Sequence, residues 1–327
     1  MNMQDAMNAA DRLRQNIGKV VVGKEEVVEL LLAGLFGNGH VLLEDVPGTG
    51  KTLLAKALSV SLGGAFRRVQ FTPDLLPSDL SGISFYNQKT GEFEFRAGPL
   101  FTHVLLADEI NRATPRTQSS LLECMEERQV TIDGMTRKLE SPFFVMATQN
   151  PVDNQGTFPL PEAQLDRFLM RISMGYPSLE EGVDILLRFR ERNPLEELAP
   201  VVTAAEIAEA QRLTAEIHVS RDLLAYIVRL AEATRRNPGV RLGASPRAAM
   251  ALLRAAQGLA LLRGRDFVTP DDIKLVAIPV LAHRLLLHHA LHVGVGEAPE
   301  SAVIRQVLGE VEVPAEATGA GTGKRGG

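Results

Sequence analysis

The chain has 327 residues, of which 45% are hydrophobic and 23% are charged, the balance of a soluble globular protein with one large or two ordinary domains. Its net charge of −5 and isoelectric point near 5.9 exclude a broad basic field for nucleic acid. The single cysteine, Cys124, excludes an internal disulfide and fits a reducing compartment. Because we find neither a signal-peptide pattern nor an apolar run of membrane-spanning length, we expect a cytoplasmic protein without membrane insertion.

The first half of the chain alternates strand and helix patterns. Helical periodicity covers residues 5–36, with a short break near Val22 and Gly23 where an adenine ring could pack. Apolar or alternating runs then predict strands at 41–43, 66–71, 103–109, 143–150 and 167–174, and a helix at 115–127. This alternation predicts a parallel sheet with helices on both faces.

Two segments interrupt the alternation and are predicted to form hairpins. Residues 83–98 alternate apolar and polar positions around a central turn, and residues 128–140 carry Asp133-Gly134 between two alternating runs. An Asp-Gly pair in that position is a strong signal for a tight hairpin turn.

The second half of the chain is predicted to be helical, with no strand patterns after about residue 177. A charged, proline-broken stretch at 188–198 is a plausible domain boundary. Ser245-Pro246 begins a long Ala/Leu helix with a capping residue followed by proline. The last helix is expected near residues 300–310.

The most informative segment is EDVPGTGKTLLAKAL, residues 44–58, which joins a strand pattern to a helix pattern. This is the context of a phosphate-binding loop. Gly48 and Gly50 allow backbone N–H groups to turn toward phosphate oxygens. Lys51 would reach the β- and γ-phosphates, and Thr52 would ligate Mg²⁺ through its hydroxyl. The segment therefore predicts a nucleoside triphosphate site.

The predicted ATP site extends over the whole loop and the preceding break in the helices. Its residues are Val22, Gly23, Pro47, Gly48, Thr49, Gly50, Lys51, Thr52 and Leu53. The loop departs from the usual pattern at its first position, where Asp45 stands in place of glycine. This departure affects one turn of the loop rather than the phosphate cradle.

Polar residues at other strand ends predict hydrolysis as well as binding. Asp108 ends an apolar strand and would hold Mg²⁺, usually through water, while Glu109 could polarise a water for attack on the γ-phosphorus. Asn150 could reach the same water, and Gln70 could relay the nucleotide state to the inserted hairpin. Alternatively, the two acids only end a strand in solvent and Asn150 is a turn residue before Pro151.

The order of these motifs resembles the AAA+ ATPases and, within them, the MoxR family, over nearly the whole chain to about residue 314. The resemblance rests on VVGKEEVVELLLAGLFGNGHVLLEDVPGTGKT, RVQFTPDLLPSDLSG, LLADEINRATPRTQSSLLECMEERQVTIDG, ATQNPVDNQGTFPLPEAQLDRF and GASPRAA. It implies an α/β fold with a three-layer αβα nucleotide-binding module at 1–180. A smaller all-α lid domain would follow at 181–314 and a disordered tail at 315–327.

The resemblance also implies roles for motif residues. Residues 47–52 would be Walker A, Asp108-Glu109 would be Walker B, and Asn150 would be sensor 1.

Two arginines receive roles from the resemblance. Arg167 would be the arginine finger that reaches the γ-phosphate of a neighbouring subunit, and Arg247 would be sensor 2 on the lid, contacting ATP. A guanidinium is always charged and presents a planar donor fork suited to phosphate. The alternatives are a structural salt bridge of Arg167 with Asp166 or Glu162, and an exposed surface role for Arg247.

The implied function is ATP hydrolysis by a homo-oligomeric ring, with a hexamer as the expected form. Such a protein would act as a chaperone-like remodeller that matures client proteins, often through cofactor or metal insertion. Its usual partner is a separate chain carrying a von Willebrand factor A domain. The hairpin aromatics Tyr86, Phe93 and Phe95 could contact a client in the ring pore, or could merely be buried.

Three other functions stay open at the level of sequence. One is a DNA-translocating motor, against which the acidic composition argues. A magnesium-chelatase-type motor subunit is the second. The third is a non-catalytic, nucleotide-gated scaffold, against which the presence of Glu109 argues.

Overall fold

The computed structural model describes residues 1–44, 48–150, 156–191, 193–288 and 298–314. Its first elements are α1 (Met3–Gly18), α2 (Glu25–Phe36), β1 (Val41–Glu44), α3 (Lys51–Leu62), β2 (Phe66–Gln70), α4 (Pro77–Ser81), β3 (Gly82–Asn87), β4 (Glu92–Ala97), β5 (Val104–Asp108), α5 (Pro115–Glu127), β6 (Gln129–Ile132), β7 (Met135–Lys138), β8 (Phe144–Gln149), α6 (Glu162–Leu165) and β9 (Met170–Ile172). The later elements are α7 (Leu179–Glu191), α8 (Ala204–Thr214), α9 (Arg221–Arg236), β10 (Val240–Leu242), α10 (Pro246–Leu262), α11 (Pro270–Leu281), β11 (Leu286–Leu287) and α12 (Pro299–Glu310).

A five-stranded parallel sheet, in the order β2-β5-β8-β1-β9, organises the first half of the chain. The register places Gln70 beside Asp108 and Glu44 beside Gln149. The polar carboxyl ends of four strands therefore meet at one edge of the sheet.

Helices cover both faces of this sheet. In β1, Val41 and Leu43 belong to a core that includes α1, α2 and α3, while Leu42 belongs to a second core that includes α5. This alternation follows from the two-residue period of a strand. The first core continues into the C-terminal helices, where Leu259 and Ile304 are fully buried. The predicted α/β fold with a helical lid is confirmed.

Two details of the sequence prediction were wrong. The last strand of the sheet covers only Met170–Ile172 instead of 167–174, because carbonyls of the preceding turn accept hydrogen bonds from Arg284 instead of from a strand. The helical half also contains the antiparallel pair β10–β11. Strands of two or three residues are too short to show an alternating pattern.

The predicted division of the chain is not decided by these elements. Helix α7 begins at Leu179 and extends into the charged stretch at 188–198 as far as Glu191. The boundary at residue 180 stays a prediction, and the tail at 315–327 lies outside the described residues. No helix in the described ranges has both the length and the apolar character needed to cross a bilayer.

Both predicted hairpins are present, as β3–β4 and β6–β7. Asp133 and Gly134 have φ values of 52° and 76°, as a tight turn with two left-handed residues requires.

The hairpin aromatics divide into two kinds. Tyr86 and Phe93 are paired across β3–β4 and are 53% and 76% exposed. Phe95 instead packs edge-on against Phe101, with the Arg137 guanidinium 4.1 Å from its ring centroid. The first two side chains are available to a partner, whereas Phe95 helps to fix the first hairpin against the second.

Helix α10 crosses α2 at a point where both backbones must approach closely. A Cβ atom at Gly258 would lie 2.3 Å from the Ala33 carbonyl oxygen and 3.1 Å from the Gly37 nitrogen. Because backbone atoms cannot move aside as a side-chain end can, glycine is needed at this crossing.

Gly258→Ala should therefore lower the free energy of unfolding by about 1–3 kcal/mol, the usual cost of overpacking. The matched control is Gly182→Ala in α7, where a Cβ atom would meet no heavy atom within 4 Å; it should stabilise by up to about 1 kcal/mol through helix propensity. Urea titration of both variants checks the pair. Equal effects would contradict the close approach.

Candidate active site

The phosphate loop has the backbone geometry that its glycines predict. Gly48 and Gly50 have φ values of 85° and 93°, a region where residues with a Cβ atom are strained. Helix α3 begins at Lys51 directly after this turn, so its N-terminal N–H groups are available to an anion. Asp45 and Pro47 lie outside the described residues.

A cavity of about 540 Å³ brings the predicted site residues together. Its lining residues are Gly48, Gly50, Lys51, Thr52, Leu53, Arg68, Gln70, Asp108, Glu109, Thr148, Gln149 and Asn150. They come from the phosphate loop and from the polar ends of β2, β5 and β8. The parallel strand order is the reason that residues so far apart in sequence share one cavity.

Both carboxylate oxygens of Asp108 are engaged by side chains. Thr148 donates its hydroxyl to Oδ1 at 2.6 Å, and Arg68 donates to Oδ2 at 2.6 Å through Nη2 and 3.1 Å through Nε. The Thr148 hydroxyl also accepts the N–H of Glu109 at 2.8 Å. Thr148 therefore fixes both acids, although sequence analysis singled out only Asn150 on this strand.

Glu109 is held in a specific conformation at the end of β5. Its φ value is 57°, a left-handed conformation that non-glycine residues adopt at a cost and that clusters at functional sites. Its Oε2 accepts a hydrogen bond from Gln70 at 2.7 Å and lies 3.1 Å from Nε of Arg112. Two side chains thus contact the same carboxylate oxygen of Glu109.

A second cavity, of about 680 Å³, adjoins the phosphate loop and includes Gly23. Met174 lines it, and the Cε of Met174 lies 3.8 Å from where a Cβ on Gly50 would be. Its apolar lining includes Leu30 from α2 and Ile278 from α11. Only the Gly23 side of this cavity is predictable from the sequence, because its other apolar residues have the pattern of ordinary core positions.

Val22, which is predicted to contact the adenine together with Gly23, is half-buried. Among the described residues that line this second cavity, Val22 does not appear. The neighbouring Lys24 donates a hydrogen bond to the Tyr176 carbonyl at 3.2 Å and lies 3.8 Å from the Glu181 carboxylate. These contacts fix the turn that carries Gly23.

The structure brings Arg167 and Arg247 together in a third cavity, of about 660 Å³. Nη2 of Arg247 lies 2.7 Å from Oε1 of Glu126, and Nε of Arg167 lies 3.4 Å from Oε2 of the same residue. The acid that pairs with Arg167 is thus Glu126, whereas the alternative considered from the sequence named Asp166 or Glu162. Among the described residues, none lines both this cavity and the phosphate-loop cavity.

Arg284 fixes the turn that carries Arg167. Its side chain is 4% exposed and donates to the Asp166 carboxylate at 2.6 Å. It also donates to the carbonyls of Asp166, Phe168 and Leu169, at 3.1, 2.6 and 3.2 Å. The short helix that follows α11 is thereby attached to the turn before β9.

Comparison with known proteins decides the family. The model of the ATPase family associated with various cellular activities matches residues 40–170, and the AAA lid domain matches residues 232–306. Chaperone MoxR1 of Mycobacterium tuberculosis is 43% identical, with 94% of this chain and 83% of the relative covered. The chain belongs to the MoxR family of AAA+ ATPases.

Further relatives and a solved structure are similar to the chain over most of its length. Protein MoxR of Methylorubrum extorquens is 35% identical, over 87% of this chain and 90% of the relative. Protein YeaC of Bacillus subtilis is 50% identical, over 92% and 94%. The crystal structure of a candidate ATPase from Cytophaga hutchinsonii superposes with a TM-score of 0.87 at 39% identity, over 96% and 97% of the two chains.

Loss of the Arg284 side chain should cost considerably more stability than loss of an exposed partner of an ion pair. We expect Arg284→Ala to lower the free energy of unfolding by about 3–5 kcal/mol, because Asp166 is left without its partner. Arg236→Ala is the control: Arg236 is 80% exposed and pairs with Glu232, so its loss should cost less than about 1 kcal/mol. Urea unfolding measures both, and similar losses would argue against Arg284 as the anchor.

Proposed function

We propose that this MoxR-family protein binds and hydrolyses ATP and uses the energy to remodel client proteins. The observation that carries the proposal is the single cavity lined by Lys51, Thr52, Asp108, Glu109 and Asn150. A cation for phosphate, hard oxygen donors for a metal and a carboxylate for water are the parts that phosphoryl transfer needs. A binding scaffold would have no use for Glu109 beside the metal-binding acid.

The donor set suits Mg²⁺ as the metal of this site. Thr52 and Asp108 supply the hard oxygen ligands that Mg²⁺ prefers. Because Asp108 already accepts hydrogen bonds from Arg68 and Thr148 on both oxygens, we infer that it holds the ion through water. When bound, Mg²⁺ would supply neutralisation of the phosphate charge, while Lys51 and the glycine loop would hold the phosphates themselves.

Glu109 is proposed as the general base. It would accept a proton from the attacking water, and Asn150 would orient that water toward the γ-phosphorus. In the resting geometry the carboxylate is bound by Gln70 and lies beside Arg112. Both contacts are made to Oε2, so they orient the carboxylate and give Gln70 a place in the response to nucleotide.

The adenine is proposed to lie in the cavity that includes Gly23 and Met174. Its position beside Gly50 and the apolar side chains of Leu30, Met174 and Ile278 in its lining support this assignment, since a base needs apolar surface to pack against together with a few polar groups. Leu53, which lines the phosphate-loop cavity, would border the nucleotide there. The contact of Val22 with the base stays a prediction, because Val22 does not line this cavity among the described residues.

Assembly into a ring, expected to be a hexamer, is proposed to complete the site. Arg167 and Arg247 lie in a cavity apart from the phosphate loop of their own chain. This placement favours delivery of both arginines to the nucleotide of a neighbouring subunit, including Arg247, whose expected contact was with ATP on the lid side. An arginine supplied in trans is known to accelerate phosphoryl transfer strongly.

The client side of the proposal rests on the hairpins and on the family. Tyr86 and Phe93 form an exposed aromatic pair on β3–β4, and one relative carries the name chaperone. We propose a protein client contacted by these side chains in the cytoplasm. A partner with a von Willebrand factor A domain would be a separate chain.

Glu109→Gln should retain ATP binding and lose hydrolysis. Removing a general base costs about 10²–10⁴-fold in rate, while the amide keeps the shape of the side chain. The measurements are nucleotide affinity by calorimetry and phosphate release at saturating ATP. The exposed Glu123 on α5 provides a control, since Glu123→Gln should hydrolyse ATP normally. Normal turnover by Glu109→Gln would sink the proposed site.

Subunit mixing tests the delivery of arginine to a neighbour. Arg167→Ala alone should hydrolyse ATP at least about 10³-fold more slowly, the effect of a missing arginine finger. Mixing with Glu109→Gln subunits should partly restore turnover, because these subunits supply an intact arginine to the intact base of the other variant. The same rescue is expected for Arg247→Ala. Absence of rescue in both mixtures would place the arginines in the site of their own chain.

A further inference from the structure

The cavity that holds Arg167 and Arg247 is strongly positive. The arginines that line it are Arg128, Arg167, Arg247, Arg254 and Arg284. Against these five, the described lining contains two carboxylates, those of Glu126 and Asp166. Such a balance favours a multiply charged anion, for which arginine forks are well suited.

His40, which also lines the cavity, adds no charge. Its Nδ1 accepts the N–H of Val145 at 3.0 Å, which leaves Nε2 to donate to the Met125 carbonyl at 3.0 Å. Burial, together with the nearby charge of Arg128, lowers the pKa of His40 to about 3. The electrostatic balance of the cavity is therefore set by its arginines and carboxylates.

The two carboxylates have different roles. Asp166 forms an ion pair with the buried Arg284. Arg128 donates to the carbonyls of Asn38 and Phe143, and neither Arg128 nor Arg254 forms an ion pair with a residue that the structure describes. Glu126 is consequently the carboxylate that faces the remaining arginines.

Glu126 places one oxygen on each proposed trans arginine. Oε1 lies 2.7 Å from Arg247 and Oε2 lies 3.4 Å from Arg167, so the carboxylate spans them as two oxygens of a phosphate could. Its side chain is 36% exposed and lies in the last turn of α5, where the helix dipole disfavours a negative charge. The arginines hold Glu126 there, and a stronger anion can replace it.

We propose that Glu126 is the resident counter-anion of this cavity, displaced by the polyphosphate of a nucleotide that a second copy of the chain presents. The inference rests on the proposed function and extends it to Glu126, Arg128 and Arg254. A triphosphate carries several charges and many acceptor oxygens, whereas Glu126 offers one charge and two oxygens. Glu126 thus holds the arginines together in the separate subunit and keeps singly charged anions out of the cavity.

Tripolyphosphate binding tests the displacement without any need for hydrolysis. All variants carry Lys51→Ala, so that their own phosphate loop contributes little. Adding Glu126→Gln should tighten binding about threefold to tenfold, a range consistent with removing a competitor that forms two partly exposed ion pairs. Adding Arg247→Ala as well should abolish the gain. Calorimetry measures the dissociation constants.

The neighbouring Glu127 is the matched control, because it is exposed and follows Glu126 directly. Glu127→Gln in the same Lys51→Ala background should leave tripolyphosphate affinity unchanged. Equal affinity with and without Glu126→Gln, or an equal gain from Glu127→Gln, would overturn the proposal.

The concentration dependence of ATP hydrolysis identifies the source of the polyphosphate. In otherwise unaltered protein, Glu126→Gln should lower the protein concentration for half-maximal turnover by about threefold to tenfold, since the arginines no longer have to leave a carboxylate. Glu127→Gln should not shift it. An unchanged or higher half-activating concentration, alongside tighter tripolyphosphate binding, would point to a free polyphosphate and overturn the second copy as its source. If unaltered protein shows no turnover at any concentration, the proposed function fails, and calorimetry still decides the role of Glu126.

Discussion

Parallel pairing of β2, β5, β8 and β1 is the constraint on which the site depends. The strands β1, β5 and β8 are buried up to their last residue, whereas β2 is partly exposed. All four end in a polar residue, and parallel pairing carries these ends to one edge of the sheet. As a result, Asp108 accepts hydrogen bonds from both the Thr148 hydroxyl and the Arg68 guanidinium. An antiparallel arrangement of the same strands would place these partners at opposite edges. The cavity beside the phosphate loop is thus a consequence of topology rather than of any single residue.

A second constraint ties the C-terminal helices to the far side of the sheet. Arg284 neutralises Asp166 and occupies three carbonyls of the turn around Arg167, so this turn cannot move independently of the segment after α11. The contacts of Arg284 and the close helix crossing at Gly258 both join the C-terminal helices to the first half of the chain. The lid and the sheet share one continuous core. In the proposed function, a change of lid position would therefore also move the arginine that serves a neighbour.

The sequence predicted the fold and the phosphate loop because both are recorded locally, in the apolar strands and in the Gly48–Thr52 spacing. Contacts between distant segments were not predictable in that way. Glu126 appears in the sequence as one of several acids on a helix, and only the folded chain shows that it meets Arg247, 121 residues away. Arg284 likewise looks like a basic residue after a helix. Its function becomes visible only in the folded chain, where the buried guanidinium donates to the turn around Arg167.

Because the acid site and the arginine cavity are separate in one chain, the proposed mechanism depends on assembly between subunits. Glu109 is paired with Gln70 and lies beside Arg112, while Arg167 and Arg247 are both held by Glu126. Each half of the machinery is thus occupied by a local partner in the separate subunit. Nucleotide bound between two subunits is a single ligand that would compete with both sets of contacts, because it would bring phosphate to the arginines and the attacking water to the acid. The contacts within a separate subunit and the contacts with a neighbour's nucleotide therefore exclude each other. A separate subunit is expected to hydrolyse ATP more slowly than the assembled ring.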